Sequence, residues 1–207
     1  MTPDWPFGAL KPYAYDVIAA DPAWLFKIYS DKGAAKSPQA HYRCTPLDDI
    51  KALPVNRLAR ANCWLFLWTS APQLDAAFDV LQAWRFRYVS RFSWRKTTVH
   101  AKVRLGPGYI VRSMHEDVLI ARLGNPPYRR ALPSLFDGLA REHSRKPEAF
   151  YALVEGFTPN ALRLDLFSRA SRRGWDAFGD EAGKFDPERG EDESPSGRRT
   201  PERGEDE

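Results

Sequence analysis

The chain has 207 residues, 43% hydrophobic and 13% aromatic, with 31 Lys/Arg against 27 Asp/Glu. That length and apolar content predict one domain with a substantial core. No apolar run approaches the roughly 20 residues of a membrane helix, and the opening MTPDWPFGAL lacks the charged-then-apolar pattern of a signal peptide. Two cysteines, Cys44 and Cys63, exclude a disulfide framework and a four-cysteine zinc site, so no metal centre is expected and a reducing cytoplasm is the expected setting. Charge is uneven. Residues 182–207 hold five Lys/Arg and nine Asp/Glu, which leaves the remainder at +8. A basic body with an acidic tail fits a polyanion binder, and equally a surface of scattered charge.

In chain order, Tyr15–Ala20 (YDVIAA) reads as a strand whose unbroken apolar run suits burial on both faces of a parallel sheet. Residues 25–43 form a long linking segment with three lysines and His41-Tyr42 near its end. A helix is predicted from Thr45 as N-cap, with Pro46 in its first turn, ending at Pro54. Cys63–Trp68 (CWLFLW) is a second buried strand. A helix beginning at Ser70–Pro72 places Leu74, Ala77, Phe78, Leu81 and Trp84 on one face. Arg87–Trp94 alternates like a strand, Arg95–Gly108 is a basic loop, and Asp117–Ala121 is a further strand. Gly124–Arg141 looks irregular. Pro147–Phe157 is a helix, Leu162–Phe167 a strand, and Gly174–Phe178 a last short strand. The domain is expected to span 1–184. The charged tail 185–207, in which PERGEDE occurs twice, cannot bury enough apolar surface to order itself.

Strands alternating with helices indicate an α/β fold with a doubly wound, mostly parallel sheet, where ligands gather at the carboxyl ends of strands. Asp21 falls at such an end, followed by Pro22, Ala23 and Trp24. A carboxylate and the Pro22 carbonyl are two acceptors that could hold the two N–H groups of an adenine 6-amino group. That localises the nitrogen lone pair otherwise delocalised into the ring. Trp24 offers a flat face for an extruded base. An ordinary strand end with Asp21 capping a turn fits these four residues as well. Asp165 and Arg169 lie at a second strand end and Asp180-Glu181 at a third. With Lys146 they could hold an adenosine bearing an amino-acid carboxylate, as in S-adenosylmethionine, or be ordinary surface pairs. No GxGxxG follows a strand, which disfavours a nicotinamide enzyme.

Beyond these residues, the chain resembles the adenine methyltransferases related to the catalytic subunit of the messenger-RNA adenosine methyltransferase, especially their bacterial and phage branch. The resemblance rests on landmarks in family order: WPFG (5–8), YDVIAADPAW (15–24), HYRC (41–44), WLFLWTS (64–70), FSWRK (92–96), HEDVLIARLGN (115–125), HSRKPEAFY (143–151), LDLFSR (164–169) and GWDAFGDE (174–181). It implies a Rossmann-like class I methyltransferase with the catalytic motif before the cofactor motif. By the same resemblance Asp21 and Pro22 orient the target amine and Trp24 walls the base pocket. Lys146 reaches the methionine carboxylate, Asp165, Phe167 and Arg169 line the S-adenosylmethionine site, and Asp180 and Glu181 take its ribose or adenine side. Asp4 touches the cofactor adenine, and Tyr42, Trp94 and Lys96 lie on the substrate side. The implied substrate is adenine in DNA, with RNA, or an inactive nucleic-acid-binding partner subunit, as the alternatives. The family usually carries a second proline where this chain has Ala23, a change expected to loosen the turn. It also carries amides, in its eukaryotic members, where this chain has Asp180 and Glu181.

Overall fold

The computed structural model describes residues 5–25, 44–108, 110–141, 145–180 and 182–186. Seven strands form one sheet: β1 (Tyr15–Ala20), β2 (Ala59–Thr69), β3 (Arg87–Thr97), β4 (His115–Leu123), β5 (Leu135–Leu139), β6 (Arg163–Leu166) and β7 (Asp176–Phe178). Their order across the sheet is β5-β3-β4-β2-β1-β6-β7. β1 is parallel to both β2 and β6, β3 is parallel to β5, and β6 to β7. β4 is antiparallel to β2 and to β3. The sheet is therefore mixed. Six strands run one way and β4 alone runs back, so the sheet is mostly parallel, as expected, with one antiparallel strand inserted.

Side-chain alternation splits the core into two layers. Ile18 and Ala20 of β1 and Leu65 and Leu67 of β2 face α1 (Leu47–Ala52) and α2 (Leu74–Ala83), meeting Ile50, Ala77, Val80 and Leu81. Val17 and Ala19, with Trp64, Phe66 and Trp68, face α3 (Glu148–Phe157) through Phe150, Val154 and Phe157. Covered on both faces, Val17–Ala20 are wholly buried, which is why that run shows no polar alternation. Trp84 closes the first layer by donating its indole N–H to the Ile50 carbonyl at 2.9 Å. Among the described residues no helix is long and apolar enough to cross a membrane.

Several element boundaries differ from the sequence reading. α1 begins at Leu47 after Pro46, without a side-chain cap, because the Thr45 amide is taken by the Ala23 carbonyl at 2.8 Å. The residue before a proline also resists helical geometry. β2 starts four residues earlier than the apolar run, where an Arg60–Asp16 ion pair at 3.0 Å holds the exposed end. β3 continues to Thr97, so the first three residues of the expected loop are strand. β5 lies inside the stretch expected to be irregular. Its sequence, LFDGL, has no clear alternation, and an edge strand needs none. Gly138 is required there: a Cβ would lie 2.6 Å from both Trp94 Nε1 and Pro147 Cβ. At the expected domain boundary, the Phe185 amide donates to the Arg169 carbonyl at 3.0 Å and Asp186 accepts the Ser171 amide at 2.6 Å. These two residues therefore belong with the folded body rather than with the tail.

Candidate active site

From β1 the chain passes to β2 on one side, and the connection from β5 through α3 enters β6 on the other side. β1 and β6 therefore flank the switch point where α/β sheets open a crevice. Ala19 pairs with Asp165 and Ala20 with Leu166, and the Asp21 amide donates to the Leu166 carbonyl at 3.3 Å. The two strand ends thus place the Asp21 and Asp165 side chains on one cleft of about 330 Å³, lined also by Lys146, Tyr151, Phe167 and Arg169.

Lys146 precedes α3 and points between two carboxylates. Its Nζ lies 2.9 Å from Asp21 Oδ2 and 3.1 Å from Glu116 Oε2, and 4.7 Å over the Trp68 ring. Burial would depress the Lys146 ammonium, but Asp21 and Glu116 outweigh it and hold the group above its ordinary value. Glu116 also accepts the Lys96 ammonium at 2.5 Å. Burial would raise the Glu116 carboxyl, and the two lysines together bring it down to about 2. Lys146, expected to reach a cofactor carboxylate, lines the cleft, and its ammonium bridges Asp21 and Glu116.

Asp165 sits deeper. Its Oδ2 accepts from Tyr151 Oη at 2.8 Å and from Ser168 Oγ at 3.0 Å. Burial pushes its carboxyl up to about 6, against those two hydrogen bonds and with help from the Asp21 charge. Burial and the neighbouring Asp165 also raise the Tyr151 phenol well above its ordinary value. The Arg172 guanidinium lies 3.7 Å from the Tyr151 ring centroid and pairs with Glu148 at 2.5 Å, packing this wall. At the floor, Phe167 adopts φ +67°, a left-handed conformation costly for a side-chain-bearing residue. Gly179 passes so close beneath that a Cβ would be 2.6 Å from the Ser168 carbonyl oxygen.

The turn after Asp21 is firm. The Trp24 amide donates to the Pro22 carbonyl at 2.8 Å, and the Ala23 carbonyl accepts from Thr45. The Pro22 carbonyl keeps a second lone pair, so it can still accept a ligand proton. Two aromatic expectations are corrected. Trp24 is 6% exposed and donates its indole N–H to the Trp68 carbonyl at 3.2 Å, so its ring is core and not an open stacking face. Trp94 is 4% exposed, with its N–H on the Gly138 carbonyl at 2.9 Å and its ring edge-on to Trp68. It supports the site from below. Lys96 reaches the site only through Glu116. Asp180 is exposed beyond β7 and is not among the residues lining the cleft, because the chain leaves the floor at Gly179. Asp4, Tyr42 and Glu181 lie outside the described residues. Among the described residues no group of His, Cys, Asp and Glu is placed to hold a metal.

Glu116 and Tyr151 were not singled out from sequence. Both lie within quoted landmarks, and Glu116 falls just before the strand read as Asp117–Ala121, whereas β4 begins at His115.

Comparison with known proteins agrees with this arrangement. The family model MT-A70 matches residues 15–181, which contain every group of the cleft described above up to Arg172. A Mycoplasma Type II methyltransferase, M.MunI, is 30% identical over 195 residues, covering 84% of this chain and 80% of its own length. The N6-methyladenosine RNA methyltransferase MTA1 of Pyricularia oryzae is 30% identical over 188 residues, with 48% of its length covered. The human N(6)-adenine-specific methyltransferase METTL4 is 27% identical over 186 residues, with 38% covered. The match extends across most of the chain and includes both strand ends of the crevice, and on that ground the chain belongs to the MT-A70 family of N6-adenine methyltransferases.

Proposed function

We propose that this chain transfers the methyl group of S-adenosylmethionine to the 6-amino group of adenine in DNA. The observation that carries the reading is the meeting of Asp21, Asp165 and Lys146 at one cleft. The donor set suits the cofactor. Asp165, buried and with its carboxyl raised to about 6, gains from a cationic or hydroxyl-bearing ligand, and Arg169 suits a carboxylate. The left-handed Phe167 lines the same cleft and offers its ring to a flat ligand group. When bound, S-adenosylmethionine supplies an electrophilic methyl on a sulfonium.

The chain's own residues then position the nucleophile. Asp21 accepts one N–H of the adenine amine and the Pro22 carbonyl the other, which localises the nitrogen lone pair. Lys146 fixes the Asp21 carboxylate from the side and is itself held by Glu116. After methyl transfer the amine is cationic and strongly acidic, so its proton leaves easily and no strong base is needed before the chemical step. The hydrogen-bonded turn at Pro22–Trp24 keeps both acceptors in place as the charge develops.

DNA is favoured by the fuller match to the Type II methyltransferase relative. The Type II methyltransferase relative is matched over 80% of its length, the relative named for RNA over 48%. RNA is the second reading, carried by the equal 30% identity of that relative. The test is incorporation of labelled methyl groups into unmethylated DNA and RNA, followed by nucleoside chromatography. N6-methyladenine in DNA is expected. Asp21→Ala should reduce turnover by about a thousandfold or more, the scale of losing an electrostatic positioning group, while cofactor binding by calorimetry persists. Turnover retained in that variant removes Asp21 from the reaction.

A further inference from the structure

From Val80 to His115 the chain carries eight Lys/Arg, two His and no carboxylate. Within that span the segment joining β3 to β4, described at 98–108 and 110–114, is a projection. Its legs are tied to one residue: the Lys96 amide donates to the Met114 carbonyl at 3.0 Å, and the Lys96 carbonyl accepts the Arg104 amide at 2.8 Å. Further out, Thr97 bridges Val103, and a reciprocal pair closes the tip, Gly106 N–H to the Ser113 carbonyl at 2.7 Å and Ser113 N–H to the Pro107 carbonyl at 3.0 Å. Gly108 makes the tip tight, since a Cβ there would lie 2.0 Å from the Val111 carbonyl oxygen. The same Lys96 places its ammonium on Glu116, which holds Lys146 and through it Asp21. The projection therefore rises from the rim of the candidate site.

Its surface pairs two properties that an ordinary loop does not combine. Ile110 is 89% and Val111 79% exposed at the tip, with Val99 and Leu105 exposed along the stem. Between them stand Lys102, Arg104 and Arg112, which no carboxylate among the described residues pairs. The inner cations of the span differ: Arg91, Arg95 and Lys96 are matched by Asp117, Asp137 and Glu116. A second copy of the chain is a poor occupant, because a two-fold contact sets the patch against itself and apposes the unmatched cations. A duplex supplies what the patch lacks. Phosphates answer the stem cations, and an apolar tip enters a base step as wedges of Ile and Leu do.

We propose that the 98–114 projection grips duplex DNA with Lys102, Arg104 and Arg112 and inserts Ile110-Val111 into the base stack, driving extrusion of the adenine toward Asp21. This deepens the proposed reaction and rests on it. A stacked base cannot reach a cleft at the ends of strands, so a duplex-modifying enzyme needs such a wedge and an enzyme of single strands does not.

The test uses the full chain with unmethylated DNA of mixed sequence, supplied either as duplex or as heat-separated strands. Ile110→Ser with Val111→Ser should lower duplex methylation by about tenfold or more and leave separated strands within about twofold, because only the duplex has stacking to break. Lys102→Ser with Arg104→Ser should weaken binding of a fluorescein-labelled duplex and lower the slope of log affinity against log salt by about two, one per lost phosphate contact. Equal loss on duplex and separated strands, or no loss, overturns the wedge. A tip variant that instead dissolves a dimer seen by light scattering overturns it in favour of a protein interface. If the unaltered chain binds duplex with the expected salt slope but methylates neither form, the reading of the reaction falls while the grip stands.

Discussion

Lys146 is the residue on which the site's electrostatics turn. Its ammonium faces Asp21 and Glu116, with side-chain exposures of 10%, 19% and 21%. Lys146→Met would keep the volume and leave two carboxylates confronting each other. A loss of about 3 kcal/mol in stability by urea unfolding is expected, the scale for breaking a largely buried pair from one side. Two neighbouring carboxyls should shape the pH dependence in opposite senses. Glu116 is brought to about 2 in the folded chain, so its contribution is full above about pH 4.5 and is lost as pH falls toward 2. Asp165 is raised to about 6, so folding is favoured by its protonated form and stability is lost as pH rises from about 4 to 6. Each slope should amount to roughly 2 kcal/mol, discounted for the exposure that Glu116 retains. Urea midpoints across this range should show Glu116→Gln flattening the acid limb and Asp165→Asn flattening the upper one. If neither substitution changes its limb, the two groups are not coupled to folding as described.

At the scale of elements, the cleft floor depends on β6 and β7 meeting without a side chain between them. Gly179→Ala would bring a methyl group to 2.6 Å from the Ser168 carbonyl oxygen and 2.9 Å from the Phe167 carbonyl carbon. Both are backbone atoms and cannot swing aside, so the strand end must shift. We expect a stability loss of about 1–3 kcal/mol by thermal unfolding and weaker cofactor binding by calorimetry. β4 explains what could and could not be read in advance. The apolar run of β1 ending on Asp21 was legible because full burial leaves no polar alternation and the acid marks where it stops. The reversal of β4 leaves no mark in the sequence: DVLIA suits either direction, and the 17-residue connection before it is long enough for a crossover as well as for an antiparallel return. Once β4 is reversed, its first residues join the carboxyl ends of the other six strands, and Glu116 becomes part of the site. Trp24 and Trp94 failed for another reason. A tryptophan at a strand end suits a base or a core equally, and its indole N–H settles the matter only when the accepting carbonyl is seen.

Across the whole molecule, the two halves of the cleft come from distant parts of the chain, Asp21 from its start and Lys146 to Arg172 from its end. The lead-in before β1 packs against the last strand, with the Phe7 and Phe178 rings 5.7 Å apart and edge-on, and Trp5 edge-on to Phe7. The folded body therefore begins and finishes on the same side of β1. Linear order along the polypeptide is thus incidental to the chemistry. A linker splicing residue 186 back to residue 5 would close the body into a ring, and the ring could be cut afresh so that the donor-holding half is synthesised before the half that presents the nucleophile.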